Sequence, residues 1–217
     1  FINIHPEHIE HHGGYEKYKS SKAKLFLNLL KGKNKYFRGR LTQKTIVANL
    51  DDKESDYFLN FPAQQKITFS LEIDDGNTNR SIHPEKLQMN TKGVVFRNNG
   101  AVFTSKLLGR PNVYNILASF SIMQSLGIPI SSLGQALSEF EPPQGRFDVI
   151  PAKGFKVIID YAHTPNSIEE LYKNVLEIFN PRKLFCLIGA AGGHRDKWKR
   201  PVLGEIAAKY CSKIIVS

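Results

Sequence analysis

Asp160 and His163 stand three residues apart at the end of an apolar run, Lys156-Val157-Ile158-Ile159, just before Pro165 and an amphipathic stretch. A carboxylate at that place can accept from hydroxyl groups, and an imidazole can carry a proton or a positive charge beside a phosphate. In open α/β sheets ligands gather at the carboxyl ends of strands, where the next helix N-terminus also points. Spacing alone serves a plainer account as well: Asp160 caps the helix and His163 fills the turn.

Other groups have similar potential. Gly189-Ala190-Ala191-Gly192-Gly193-His194-Arg195-Asp196-Lys197-Trp198-Lys199-Arg200-Pro201 is a Gly-rich exit from a strand, followed by basic residues and a Pro at a helix start. Glycines let backbone N–H groups approach an oxyanion, and Arg offers a bidentate fork. No Gly-Lys-Ser/Thr follows, so this is not a Walker loop. Near the start, Glu7-His8-Ile9-Glu10-His11-His12 gathers three histidines and two glutamates. Zinc needs three or four fixed ligands, whereas a phosphate-bound Mg²⁺ needs one or two from protein, so surface cluster and metal site both remain open. Asn112 and Asn115 follow Gly109 on one helix face and suit hydrogen bonding to a base or ribose, with capping by Asn112 the simpler account. Asn49, Asp51 and Asp52 leave an apolar run and read as turn and cap residues.

The elements that must hold these groups follow from periodicity. Helical spacing covers about 15–30, 110–126, 131–140, 166–179 and 199–210; apolar runs or alternation mark strands near 45–50, 66–71, 147–151, 155–160, 183–189 and 213–217. Residues 93–97 and 100–107 alternate as a hairpin around Asn98-Asn99. Residues 74–80 are a loop by composition. Glu141-Pro142-Pro143-Gln144 reads as a linker, giving domains 1–144 and 145–217. After it, strands alternate with helices, which implies a parallel sheet covered on both faces.

Composition narrows the classes. Hydrophobic residues at 41% and charged residues at 23% are ordinary for a globular protein, and no apolar run is long enough to cross a bilayer. The net charge of +10 suggests an anionic partner. The lysines are dispersed, with one modest cluster at Lys31, Lys33, Lys35, Arg38 and Arg40, read as a solvated loop. Cys186 and Cys211 are expected to be reduced thiols. The absence of an initiator Met and the terminal run Ile214-Ile215-Val216 suggest a piece of a longer protein.

Taken together, these segments resemble the Mur ligases, ATP-dependent amide-forming enzymes of peptidoglycan synthesis, and within them the MurE branch, which adds the third residue of the stem peptide. The His8–Phe26 segment resembles that family's Asp-His-Leu-Asp-Tyr-His-Gly…Met-Glu…Tyr…Ala-Ala-Lys pattern. Gly109…Asn112…Asn115 is similar to Gly…Phe-Asn-Val-Tyr-Asn, and Gly145-Arg146 to Gly-Arg. Asp160–Pro165 is similar to Asp-Tyr-Ala-His-Thr-Pro, and Gly192–Pro201 to Gly-Gly-Asp-Arg-Asp…Gly-Lys-Arg-Pro. Five motifs stand in the family's order across nearly the whole chain.

The resemblance implies an α/β fold: the second half of a P-loop-type central domain, then the first part of a Rossmann-like C-terminal domain. It implies ATP and Mg²⁺, with His8 and Lys22 at the metal, Lys22 carrying the family's carbamate. Asn112 and Asn115 would lie on the adenine side; Arg146 and Asp160 would grip the nucleotide from the second domain. His163 and Lys199 would lie near phosphate, and Arg195 would bind the carboxylate of the incoming amino acid. The substrates implied are a UDP-MurNAc-dipeptide and an amino acid, in a monomeric cytoplasmic enzyme without nucleic-acid or membrane partners. Glu7, Glu10, His11, Tyr15, His194 and Trp198 depart from the usual residues. The family's Gly-Lys-Thr loop, uridine-binding domain and second metal-binding acid are expected before Phe1, and its amino-acid-selecting motif after Ser217, so the piece alone is expected not to ligate. Cyanophycin and folylpolyglutamate synthetases are the alternatives within ligases, and a basic nucleic-acid-binding module is the alternative outside them.

Overall fold

The computed structural model describes residues 1–7, 9–73, 80–189 and 197–217. The first half opens with α1 (Ile9–His12) and α2 (Tyr15–Leu27), followed by a small antiparallel hairpin, β1 (Lys35–Phe37) and β2 (Arg40–Thr42). Strand β3 (Thr45–Asn49) leads through α3 (Ser55–Leu59) to β4 (Gln65–Phe69) and β5 (Ser81–Ile82), which form a parallel sheet in the order β3-β4-β5. An antiparallel meander follows, β6 (Glu85–Asn90), β7 (Gly93–Asn98) and β8 (Ala101–Ser105). Helix α4 (Arg110–Ser125), a 3-10 turn (Ile130–Leu133) and α5 (Gly134–Glu139) complete this half.

Alternation decides which side chains meet. Along β7 and β8 the facing pair Phe96 and Phe103 stacks with ring centroids 5.3 Å apart, and Phe120 of α4 closes edge-on over Phe103. Phe69, Ile82, Val113, Ile116 and Leu117 join them, so one core unites parallel sheet, meander and α4. The β7–β8 turn is Asn99-Gly100, one residue later than expected. Both residues have positive φ, 48° and 77°, which is the backbone twist a two-residue hairpin needs.

In the second half, β9 (Asp148–Ala152) and β10 (Phe155–Ile159) are followed by α6 (Pro165–Phe179), β11 (Phe185–Ile188), α7 (Lys199–Tyr210) and β12 (Lys213–Val216). Two expectations are corrected here. Strands β9 and β10 pair antiparallel, because only Lys153 and Gly154 separate the paired ends Ala152 and Phe155; a parallel crossover needs a far longer connection. Strands β11 and β12 do pair parallel, yet among the described residues helices cover only one of their faces. Cys186 packs with Tyr172, Leu203 and Ala207 on the helix side, while Phe185 and Leu187 are exposed on the other.

The cysteines are corrected too. Cys186 of β11 and Cys211 at the end of α7 are joined in a disulfide with Cα atoms 6.1 Å apart. Parallel pairing of β11 and β12 brings the turn after α7 back beside β11, a juxtaposition that 25 residues of sequence separation hide.

Candidate active site

Asp160 follows the last residue of β10, and each of its carboxylate oxygens accepts one backbone N–H. Phe147 donates to Oδ2 at 2.7 Å and Ala162 to Oδ1 at 2.7 Å. A carboxylate has about four acceptor sites, so this fastening fixes its orientation and leaves capacity for further donors. The exposed guanidinium of Arg146 lies over the Tyr161 ring, 4.6 Å from its centroid. Asp160 and Arg146 are therefore held on one patch, the carboxylate by the Phe147 N–H and the guanidinium by Tyr161.

Asp160 does not cap α6. That role falls to Thr164, whose hydroxyl accepts from the Ser167 N–H at 3.3 Å while the Thr164 N–H donates to Ser167 Oγ at 3.0 Å. With Pro165 at the first helical position, the chain enters α6 rigidly. His163 is oriented by the same box, its N–H donating to Ser167 Oγ at 3.1 Å. Its ring reaches two acceptors: Nδ1 is 2.9 Å from the Tyr161 carbonyl and Nε2 is 2.9 Å from Glu7 Oε1. Both partners only accept, so the ring satisfies both bonds when both nitrogens carry protons. Alongside, Asn166 Nδ2 is 3.1 Å from His5 Nε2. Residues 5–7 of the first half thus dock on the entrance to α6.

Asn112 and Asn115 sit on the first turns of α4, Asn115 exposed. Asn112 Nδ2 donates to the Leu108 carbonyl at 2.8 Å and Asn115 Nδ2 to Asn112 Oδ1 at 3.3 Å. Asn112 thus has a structural bond of its own, and Asn115 is turned outward. The start of α4 is fastened across the two halves: buried Asn174 of α6 accepts from the Arg110 N–H at 2.8 Å. Gly109 has φ +82°, and a Cβ there would stand 3.0 Å from Asn174 Oδ1, so glycine serves both the turn and the approach. Leu108 packs into the cluster of Phe147, Val175 and Ile178. A continuous path of contacts runs from the Asn pair through Leu108 to Phe147, and from the Phe147 N–H to Asp160.

A polar node behind α4 escaped the sequence reading. Asp51 accepts from Ser70 Oγ, from the Leu71 N–H at 2.6 Å and from the Tyr114 hydroxyl at 2.9 Å. Burial first, then the bond to Asp51, pushes the Tyr114 hydroxyl pKa well above the usual phenol range. Tyr114 stands between the two asparagines, so this bond sets the rotation of α4 that presents them. Asp52, read as a cap, accepts from the Ile4 N–H at 3.2 Å and the Glu54 N–H at 2.9 Å. The signal was present in Asn49-Leu50-Asp51-Asp52, but only the fold shows that its acids bind the exit of β4, α4 and residue 4.

The remaining expected residues do not join this path. Lys22 is exposed on α2, with Nζ 5.3 Å from the Tyr18 ring centroid. Lys199 is buried at the first position of α7. His8 and Arg195 lie outside the described residues. Among the described residues no group of three or more His, Cys, Asp or Glu side chains stands close enough to hold a metal ion. That bears on a zinc-type cage; a phosphate-bound Mg²⁺, which asks one or two protein ligands, is a different donor set.

Comparison with known proteins gives the family. Residues 1–123 match the Mur ligase middle domain, and residues 145–217 match the Mur ligase glutamate ligase domain. The chain belongs to the Mur ligase family. The UDP-N-acetylmuramoyl-L-alanyl-D-glutamate–2,6-diaminopimelate ligase of Geobacillus kaustophilus is 33% identical over 220 residues, covering 99% of this chain and 42% of that protein. A solved diaminopimelate ligase of the same name aligns with a TM-score of 0.63 at 25% identity, over 99% of this chain and 42% of its own. A MurF ligase from Thermotoga maritima in complex with ADP shares the fold, with a TM-score of 0.69 at 18% identity over 96% of this chain and 45% of its own. This Mur ligase chain thus spans about two fifths of the length of the curated relatives it matches.

Proposed function

We propose that this chain forms the nucleotide-facing part of an ATP-dependent ligase that adds the third amino acid to UDP-MurNAc-dipeptide in peptidoglycan synthesis. The observation that carries the reading is the path from Asn112 and Asn115 through Leu108 and Phe147 to Asp160, which joins adenine-side and ribose-side candidates from two domains, 1–144 and 145–217. Support comes from the family, whose members are ATP-dependent amide ligases, and from the relatives named as diaminopimelate ligases.

In this reading Asp160, oriented by two backbone donors, uses its remaining lone pairs for ribose hydroxyls, and Arg146 is held beside it. His163, its ring held between the Tyr161 carbonyl and Glu7, is the candidate donor to the phosphate side, where a hydrogen bond would stabilise charge on a transferring phosphoryl group. Lys199, buried at the start of α7 and away from the path above, would reach the same anion only after a rearrangement of that helix start. The dipeptide carboxylate attacks the γ-phosphorus, the β–γ bridging bond breaks, and ADP leaves with that electron pair. The amine of the incoming amino acid, its carboxylate bound by Arg195, then attacks the acyl carbon and displaces inorganic phosphate. Mg²⁺ belongs to the proposal through His8 and carbamylated Lys22; no step here is routed through it. The cytoplasm is the proposed compartment.

The test is ATP-dependent phosphate release with UDP-MurNAc-L-Ala-D-Glu and an amino acid, measured on the protein that carries this chain. Diaminopimelate is the first choice and lysine the second. Release should require all three substrates and fall at least a hundredfold in Asp160→Ala. Release independent of the dipeptide, or of Asp160, would overturn the assignment.

A further inference from the structure

Charge in this molecule is segregated rather than dispersed. Residues 17–50 hold ten of the thirty Lys and Arg and none of the twenty Asp and Glu, so the rest of the chain, with twenty of each, is balanced. The whole surplus of +10 lies in one segment.

The fold then sorts those cations. Lys19 is neutralised by Glu16 at 3.0 Å and Glu54 at 3.1 Å, and Lys22 lies over Tyr18. Lys44 donates from Nζ to the carbonyls of Gly32, at 2.7 Å, and Lys33, which fastens the loop after α2 to the base of the β1–β2 hairpin. Of the remaining seven, Lys17 and Lys24 are exposed along α2, whereas Lys31, Lys33, Lys35, Arg38 and Arg40 are exposed together on the loop and hairpin, and among the described residues no carboxylate pairs with any of these five. A two-residue turn at Arg38-Gly39, with φ 49° and 76°, makes the hairpin tight.

Apolar side chains accompany the charge. Tyr36 and Leu41 face each other across the two strands and are 69% and 55% exposed, so one face of the hairpin presents both. Leu30, in the fastened loop, is 45% exposed. On the opposite side a cavity of about 410 Å³ separates Phe37, Arg38 and Arg40 from Ile128 and Pro129 beyond the end of α4. Aromatic and leucine side chains set among cations belong at a membrane–water interface, where the rings and chains enter the headgroup layer and the cations meet anionic lipid. Nucleic acid would use the cations and stack on Tyr36, but would give Leu30 and Leu41 nothing to bind.

We propose that the loop at 28–34 and the β1–β2 hairpin form a peripheral docking surface for a bilayer containing anionic phospholipid, with Arg38 and Arg40 flanking a cavity for a phosphodiester headgroup. This departs from the expectation of no membrane partner. It needs no spanning segment, and among the described residues no helix is long and apolar enough to be one. It is independent of the ligase reading, since none of these residues belongs to the nucleotide path.

Co-sedimentation of the purified protein with phosphatidylglycerol/phosphatidylcholine vesicles tests it, with pure phosphatidylcholine vesicles and single-stranded RNA as parallel arms. Binding should be at least tenfold tighter to the anionic vesicles and should collapse in 0.5 M salt. Lys35→Glu/Arg38→Glu/Arg40→Glu should abolish it, Tyr36→Ser/Leu41→Ser should weaken it several-fold, and Lys153→Glu/Lys156→Glu on the other hairpin should leave it intact. Circular dichroism confirms that each variant is folded. Equal binding to both vesicle types, binding indifferent to Tyr36 and Leu41, or tighter retention by RNA than by anionic vesicles would overturn the proposal.

Discussion

At the scale of single residues, Asp160 does two things that one substitution can separate. Its oxygens hold the Phe147 and Ala162 N–H groups, which shape the strand exit, and they keep lone pairs for a ligand. Asp160→Asn turns an amide NH₂ toward one of those donors, so about 1–3 kcal/mol of stability should be lost together with nucleotide affinity. Thermal melts and nucleotide titration of the same protein check both, and an unchanged melt with lost affinity would assign Asp160 to the ligand alone. Glu54 gives a pH signature. Its pKa is lowered below the ordinary 4.5, first by the hydrogen bond from Lys19 and then by that from Tyr15, outweighing its partial burial. A depressed carboxylate pKa adds stability above the unfolded value that is lost as pH falls through the folded one. Melting temperature should therefore drop more steeply below about pH 4.5 in the native protein than in Glu54→Gln. Tyr15, pushed up to about 12 by burial and then by Glu54, gives the opposite sign: its contribution is present below the usual phenol value near 10 and is lost as pH rises through about 12. The same two proteins, melted at alkaline pH, should diverge there.

At the scale of elements, the periodicity of α6 was legible in the sequence and its most consequential residue was not. Ile168, Tyr172, Val175 and Ile178 mark the buried face, and Asn174 lies on that face as a polar interruption. Its amide donates to the Glu170 carbonyl at 2.6 Å and accepts from Arg110 at the first position of α4, a partner 64 residues away. No local pattern specifies such a pairing. Asn174→Leu should cost about 1–3 kcal/mol, because it leaves the part-buried Arg110 N–H without its acceptor. Gly109→Ala should also destabilise, through its positive φ and the crowding at Asn174. The two losses should be less than additive in a double-mutant cycle, since they break one junction. The β1–β2 hairpin was hidden for another reason, strands of only three residues each, while long-range pairing hid the Cys186–Cys211 bond. Closing a loop of this length is worth roughly 3 kcal/mol in the unfolded chain. Reductant, or Cys211→Ser, should therefore lower the melting temperature, and thiol titration of the native protein should find no free cysteine.

At the scale of the whole molecule, the motif order gave the family and the element order gave most of the fold, because both are local. What the sequence left open was how the halves meet. The Pro-Pro linker suggested two domains without saying which surfaces meet, and the structure shares a hydrophobic cluster between the halves: Leu108 from the first half packs with Phe147, Val175 and Ile178 from the second. Glu7 with His163, His5 with Asn166 and Arg110 with Asn174 add polar contacts around it. A shared apolar cluster couples stability, so unfolding of either half exposes surface on the other. The single tryptophan, Trp198, reports on the second half, while far-UV circular dichroism reports on both. The two probes should give coincident melts in the native protein, the mark of one cooperative unit. In Leu108→Ser, which removes about 2 kcal/mol or more of apolar burial from the junction, the tryptophan transition should separate from the dichroism transition. Coincident melts in that variant would mean that the linker and polar contacts suffice to couple the halves, and the path from the Asn pair to Asp160 would then not depend on Leu108.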